Sequence, residues 1–232
     1  MTCAIVQPSY IPWRGYFHMV WKSDVVVHYD DVQYTRHAWR NRNRVKTPGG
    51  VRWLTIPVHA HGHQTEGLLV RDIRIDWHED WARKHWKTLC LSYVRAPHFA
   101  RYAPELEAFY ASRPERLADF TIALIEWVSR QLGIERTRFL RSSELRAEGD
   151  RTERPLAILR QVGADRFVNG PTARDYFDEL RAAEAGITVE WMRYDYREYE
   201  QLWPPYDPAV SALDLLFMKG PDAGAYIWGS SA

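Results

Sequence analysis

The sequence predicts an α/β fold, a mainly parallel sheet with flanking helices and an inserted β-hairpin, and three features of the chain point to it. Two short apolar runs, Cys3 to Val6 and Asp24 to Tyr29, are separated by a turn-rich stretch and about one short helix of sequence. Strand-like and helix-like segments then alternate through the C-terminal half. Between these halves, the stretch Arg36 to Val58 alternates around Thr47-Pro48-Gly49-Gly50, the signature of a hairpin turn. The whole of 1–232 reads as a single domain, because no linker divides it and no repeat appears.

Gln7-Pro8-Ser9-Tyr10-Ile11-Pro12 is a turn, Trp13 to Lys22 a short helix, and Asp24 to Tyr29 the second strand. A crossover this short between apolar strands predicts a parallel pair, with Gln7 to Tyr10 and Asp30 to Gln33 side by side beyond the strand ends. In the hairpin, Val51 to Val58 is the return strand. Val70 to Ile75 reads as a further strand, and Trp81, His85, Trp86, Leu89 and Tyr93 recur at helical spacing over 79–93. Leu117, Phe120, Leu124, Trp127, Val128 and Leu132 form one apolar stripe that Gly133 ends. Arg138 to Leu140 is a brief strand; Thr152 caps a helix with Pro155 in its first turn and Gly163 as its stop. Arg166 to Asn169 and Thr188 to Arg193 are strands around a helix spanning Ala173 to Ala185. Near the end, Ser211 and Asp214 form a capping pair for a short helix through Phe217.

Composition narrows the function classes. With 46% hydrophobic and 26% charged residues the chain is an ordinary globular protein, and nothing at its start suggests a signal or anchor, so a cytoplasmic protein is expected. Lys plus Arg at 31 against Asp plus Glu at 30 argues against duplex DNA as a partner. The cysteines Cys3 and Cys90 fit small buried thiols. The 11 Trp, 13 Tyr and 8 Phe exceed what a core of this size needs, which suggests rings that face a sugar or a nucleobase.

Several stretches carry chemistry. In a strand, Arg40, Arg42, Arg44 and Lys46 would share a face and form a cationic row suited to a phosphate or carboxylate, or else a charged edge that blocks aggregation. Asp30 and Asp31 follow an apolar strand, where a carboxylate serves either as a general base or as a turn cap. His85, beside Lys84 and Lys87, is a candidate for proton transfer or a structural histidine. The run His59, His61 and His63 can offer imidazoles to zinc or nickel from one strand face, but no fourth ligand is evident nearby, and a loop tip with incidental histidines is the preferred reading. Phosphate-loop, GxGxxG, nucleophile-elbow and CxxC motifs are absent from the sequence.

Gln7-Pro8-Ser9-Tyr10-Ile11-Pro12-Trp13-Arg14-Gly15-Tyr16-Phe17 resembles the opening signature of the WbqC-like protein family. The resemblance continues through Asp30-Asp31-Val32-Gln33-Tyr34, Trp39-Arg40-Asn41-Arg42-Asn43-Arg44, Trp53 to Val58, Lys84-His85-Trp86-Lys87, Ser142-Ser143, Thr152-Glu153-Arg154, Gly170-Pro171 with Arg174-Asp175-Tyr176, and Ser211 to Phe217. Members occur in polysaccharide and natural-product gene clusters, and the resemblance implies transfer of an acyl or aminoacyl group, glycine for some, to an amino-sugar amine. Val6 stands where the family often has a histidine, and Ala38 where an acidic or polar residue is common, which leaves Asp30, Asp31 and His85 as the candidate catalytic groups. The order of the first elements is also similar to that of HxGH nucleotidyltransferases, with Trp13-Arg14-Gly15-Tyr16 in the motif's slot and both histidines missing, so the parallel sheet has a nucleotidyltransferase-like (Rossmann-like) core as one form.

The expected activity is N-acyl or aminoacyl transfer to an amine of an amino sugar or small metabolite. The alternatives are a remodelled ATP-dependent ligase, and a non-catalytic module that binds a glycan or carrier protein. Substrate contacts are expected from Gln7, Tyr10, Trp13, Tyr16, Gln33, Trp39, Arg40, Asn41, Arg42, Asn43, Lys46, Lys87, Gly170, Arg174 and Asp175. The sequence assigns no cofactor; the donor is expected to be an acyl carrier protein thioester, an aminoacyl-tRNA, or a free amino acid with ATP, and no metal and no membrane partner is expected.

Overall fold

A computed structural model of the chain describes residues 1–36, 38–60, 67–149 and 151–229. Its centre is a parallel sheet of β1 (Thr2–Val6), β2 (Val25–His28), β7 (Arg138–Arg141), β8 (Arg166–Asn169) and β9 (Thr188–Trp191), in the order β7-β2-β1-β8-β9. Register is fixed by Cys3 against Val25, Val25 against Arg138, Thr2 against Arg166 and Arg166 against Thr188. Because side chains alternate across a strand, Ala4, Val26 and Val168 enter one core while Cys3, Val25, Val27 and Phe167 enter another. The sheet therefore separates two apolar layers, as both-faces-covered parallel sheets require.

The larger layer contains α1 (Arg14–Trp21), α2 (Trp81–Tyr93), α3 (Phe99–Ala111), α4 (Leu117–Gln131) and α7 (Ala212–Lys219). The smaller is closed by α5 (Glu153–Val162) and α6 (Glu179–Glu184). Gly133 and Gly163 follow α4 and α5 with φ of 78° and 75°, the left-handed conformation that glycine adopts without a Cβ penalty. Among the described residues no helix is long and apolar enough to cross a membrane.

The hairpin is β3 (Arg42–Thr47) with β4 (Gly50–Thr55), joined by Pro48-Gly49. Both strands are shorter than the sequence pattern suggests. The Ile56 N–H bonds the Asn41 carbonyl at 2.8 Å, and the chain then leaves to form β5 (Val58–His59), paired with β6 (Arg74–Ile75). Val70 to Asp72 is accordingly a 3₁₀ turn and only the last two residues of the expected strand pair.

The expected helix from Ala173 to Ala185 is divided: Pro171–Asp175 is 3₁₀, and α6 starts afresh where the Asp178 carboxylate accepts from the Leu180 and Arg181 N–H groups at 3.0 and 3.1 Å. Helix α3 has no counterpart in the sequence reading, since Pro104 lies inside it and breaks the helical pattern. Ser211 does cap α7, its hydroxyl accepting from Leu213 N–H at 3.2 Å, but Asp214 points into the core. There its carboxylate accepts from the Tyr93 and Tyr199 hydroxyls, each at 2.8 Å. The pairing expected from the capping-box pattern is thus replaced by a buried polar network.

Candidate functional site

Numbered in chain order, the parallel strands run 3-2-1-4-5, so chain direction across the sheet reverses between β1 and β8. Beyond the carboxyl ends of such strands lies the crevice where doubly wound sheets bind ligands. Here the loop after β1 crosses over the hairpin. Tyr10 N–H donates to the Trp39 carbonyl at 3.0 Å, and the Asn43 side-chain amide donates to the Tyr10 and Ile11 carbonyls at 3.1 and 3.0 Å. These bonds hold open a cleft of about 380 Å³ walled by Ser9, Trp13, Tyr16, Trp39, Arg40 and Asn43.

Arg40 is the cleft's cation. Its guanidinium is half-buried, donates to the Gln7 side-chain carbonyl and, at 3.2 Å, to the Ser9 hydroxyl, and pairs with no carboxylate among the described residues. Burial lowers its pKa, while Tyr16 and Tyr34 oppose that shift; an arginine so placed remains charged. The Tyr16 hydroxyl is buried and has no hydrogen-bond partner among the described residues, and desolvation pushes its pKa well up, so it is a donor awaiting an acceptor. Trp39 is 46% exposed and lies 5.2 Å from Trp53, forming an aromatic lip. An anion joined to a ring satisfies this lining.

The Trp13 wall depends on a missing side chain. A Cβ on Gly15 would fall 2.3 Å from Trp13 Cζ2, so Gly15→Ala must displace the indole. Gly15→Ala is expected to fold with a loss of roughly 1–3 kcal/mol and to lose ligand-induced thermal stabilisation; denaturant midpoints and thermal shifts check the two effects separately.

The other expected site residues are distributed elsewhere. Asp30 is fully buried, its Oδ1 accepting from Ser143 N–H at 3.0 Å and its Oδ2 from the Ser143 hydroxyl at 3.0 Å. Asp31 pairs with Arg154 at 2.5 Å and accepts from the Ser142 hydroxyl. Both carboxylates tie the end of β2 to the turn after β7. Ser142, Ser143 and Arg154 are the partners that sequence reasoning about the aspartates missed, because they lie more than a hundred residues away.

His85 is buried, with Nδ1 2.9 Å from the Tyr10 hydroxyl, which in turn lies 2.6 Å from that of Tyr110. Burial lowers the His85 pKa to about 4, and a backbone hydrogen bond to Thr55 opposes that shift. The consistent proton arrangement is a neutral ring whose Nδ1 accepts from Tyr10. Tyr10 is wholly buried in this chain of rings and lies outside the cleft lining.

The cationic row is also divided. Arg40 sits in the turn before β3; Arg42 lies 3.9 Å over the Trp53 ring; Arg44 pairs with Asp207 at 3.7 Å; and Lys46 is buried, donating to the Pro205 carbonyl. Asn41 braces the hairpin by donating to the Ile56 carbonyl at 2.8 Å. Gln33 bridges Leu69, and Lys87 is exposed on α2. Gly170 donates its N–H to its neighbour Asn169, Arg174 leans 5.3 Å over Trp191, and Asp175 is exposed beside it. His59 lies 3.8 Å from Asp76, whereas His61 and His63 lie outside the described residues. Among the described residues no group of three or more His, Cys, Asp or Glu converges as a metal site.

The structure thus gathers Trp13, Tyr16, Trp39, Arg40 and Asn43 around one cleft, with Gln7 behind Arg40. A family model described as the WbqC-like protein family matches residues 7–226. The chain belongs to the WbqC-like protein family. This WbqC-like chain is 42% identical over 228 residues to a protein of Mycobacterium tuberculosis (strain ATCC 25618 / H37Rv) named "Uncharacterized protein Rv1507c", covering 97% of this chain and 96% of that relative. No solved structure matches. The matched stretch includes every residue of the cleft except Val6.

Proposed function

We propose that this WbqC-like protein transfers an acyl or aminoacyl group, glycyl among them, to the amine of an amino sugar or small metabolite, and that its cleft holds an anionic, ring-bearing substrate. The observation that carries the reading is Arg40, a half-buried guanidinium free of any carboxylate pair among the described residues, in a cleft that Trp13 and Trp39 also line beyond the carboxyl end of β1. In the reaction, the amine nitrogen bonds to the acyl carbon, the bond from that carbon to the carrier breaks, and the amine proton leaves to the carrier or to solvent. Arg40, Ser9 and Tyr16 are the donors at hand for an oxyanion or for the substrate's own anionic group. Asp30, Asp31 and His85 are spent on structural bonds, so this reading assigns the cleft binding and charge stabilisation and no side-chain base.

The experiment is incubation of the protein with candidate amines and activated glycine donors, read by mass spectrometry for the acylated amine. Arg40→Ala is expected to lower adduct formation about 10- to 100-fold, the worth of a charged hydrogen bond, and Arg40→Lys to fall between. Absence of adduct with every donor, or full turnover by Arg40→Ala, would count against the reading.

One observation favours a second reading, a nucleotide-dependent ligase: the cleft lies where doubly wound sheets seat nucleotides. Against it, Arg14 in the slot of the HxGH signature is buried and donates to the Arg197 and Tyr226 carbonyls at 3.0 and 3.3 Å and to the Tyr206 hydroxyl at 2.5 Å, so it holds the C-terminal segment. Pyrophosphate release on addition of ATP and an amine would select the ligase.

A further inference from the structure

On the far side of β2 from the cleft strand, a second pocket of about 310 Å³ opens at the carboxyl ends of β2 and β7 against α4. Its floor is His28, the last residue of β2, which is 0% exposed and stacked on Phe139 with ring centroids 5.4 Å apart. Among the described residues neither ring nitrogen of His28 has a hydrogen-bond partner. That is costly in a core, since a buried polar group without a partner gives up its hydration for nothing. Nε2 points toward the pocket wall, 3.9 Å from Oε1 of Glu126, too far for a hydrogen bond.

The wall is acidic. Asp119, Glu126 and Glu144 line the pocket against one cation, Arg141. Arg141 is already occupied, 2.7 Å from Asp119 and 4.0 Å from the buried Asp30. Among the described residues neither Glu126 nor Glu144 forms an ion pair with lysine or arginine within 4 Å; Glu126 meets His28 at 3.9 Å, and Arg130 and Arg141 act on it from farther away. Burial of His28 and the nearby Arg141 charge hold its pKa down at about 3, so at neutral pH the ring carries a lone pair and not a charge. Desolvation raises the Glu126 carboxyl pKa, although Arg130 and Arg141 oppose the shift.

We propose that this pocket binds a primary ammonium group, which donates to the His28 imidazole nitrogen and the Glu126 carboxylate while the exposed Glu144 adds negative charge at the pocket mouth. An ammonium suits the pocket better than a divalent metal, because the His28–Glu126 pair alone is too few ligands for a metal, and among the described residues no third metal-ligating group converges with them. It suits it better than a phosphate or carboxylate, because the lining carries three acids to one base. The volume leaves room for a short chain or a single ring beyond the nitrogen. The site is separate from the Arg40 cleft and does not depend on the transfer reaction.

The test is a titration of the full chain, with histidine labelled in ¹⁵N, using n-butylammonium chloride, 1-butanol and zinc chloride in parallel. The ammonium salt is expected to shift the His28 ring signals saturably, and 1-butanol to leave them in place. Glu126→Gln, a conservative change on the half-exposed face of α4, is expected to weaken the ammonium about 10- to 100-fold, and Glu144→Gln to weaken it less, since Glu144 is exposed. No saturable shift, a shift of equal size with 1-butanol, or an affinity unchanged in both variants would overturn the proposal. A shift with zinc and none with the ammonium would overturn it in favour of a metal.

Discussion

Acidification below pH 6.5 is expected to cost the fold several kcal/mol, a loss that begins above the range in which carboxylates titrate and continues into it. Burial lowers the pKa of His85 from 6.5 to about 4 and that of His28 from 6.5 to about 3. Both folded-state values lie below the unfolded one, so between them the unfolded chain binds more protons and stability rises with pH. The contribution is fully present above 6.5 and is lost as the pH falls through 4 and then 3, amounting to at most roughly 3 kcal/mol for His85 and roughly 5 kcal/mol for His28. Asp214 and Glu126, whose carboxyl pKa values are raised chiefly by burial, act in the opposite sense but only once the carboxyl range is reached. Urea midpoints measured across this range should fall steeply in the wild type and less steeply in His85→Gln. A flat profile would mean that His85 and His28 titrate as in the unfolded chain.

Asp30→Ala is expected to lower stability by about 3–5 kcal/mol, the cost of leaving a buried network without its charged acceptor. The carboxylate receives the Ser143 N–H and the Ser143 hydroxyl, lies 3.2 Å from the Ser142 hydroxyl that donates to Asp31, and faces Arg141, thereby joining the end of β2 to the 3₁₀ turn after β7. Asp30→Asn keeps the volume and part of the bonding, so its loss should be smaller. Equilibrium unfolding checks both. If Asp30→Ala keeps the wild-type midpoint yet loses turnover, Asp30 is a chemical group and not a structural one.

The parallel sheet was legible because each of its strands is a short run bounded by turn residues, from Cys3 to Val6 at the start to Thr188 to Trp191 at the end. Helix α4 was legible from an unbroken apolar stripe closed by Gly133. Helix α3 was not, since Pro104 and interspersed charges blur its period, and tertiary packing of Phe99, Tyr102, Leu106 and Tyr110 overrides that local signal. In the site, Gln7, Trp13, Tyr16, Trp39, Arg40 and Asn43 could be proposed because they lie in two short stretches of sequence. What each charged group pairs with could not be read. Asp31 finds Arg154, Arg44 finds Asp207 and Lys46 finds Pro205 across long separations, and these pairings decide which cations and carboxylates remain for a ligand. His28 escaped notice for a related reason: in sequence it ends an ordinary apolar strand, and only the fold leaves both its nitrogens unpartnered above an acidic wall.

The central claim is that the Arg40 cleft receives an anionic, ring-bearing ligand, and paired thermal-shift screens of the wild type and Arg40→Ala test it most directly. The screen would contain ATP, coenzyme A, nucleotide sugars, amino sugars and glycine, since a ligand that binds the folded state raises stability as RT ln(1 + [L]/Kd). At least one anionic, ring-bearing compound is expected to raise the wild-type midpoint and to leave that of Arg40→Ala unchanged. Equal stabilisation of both proteins, or silence from every anionic compound, would contradict the claim.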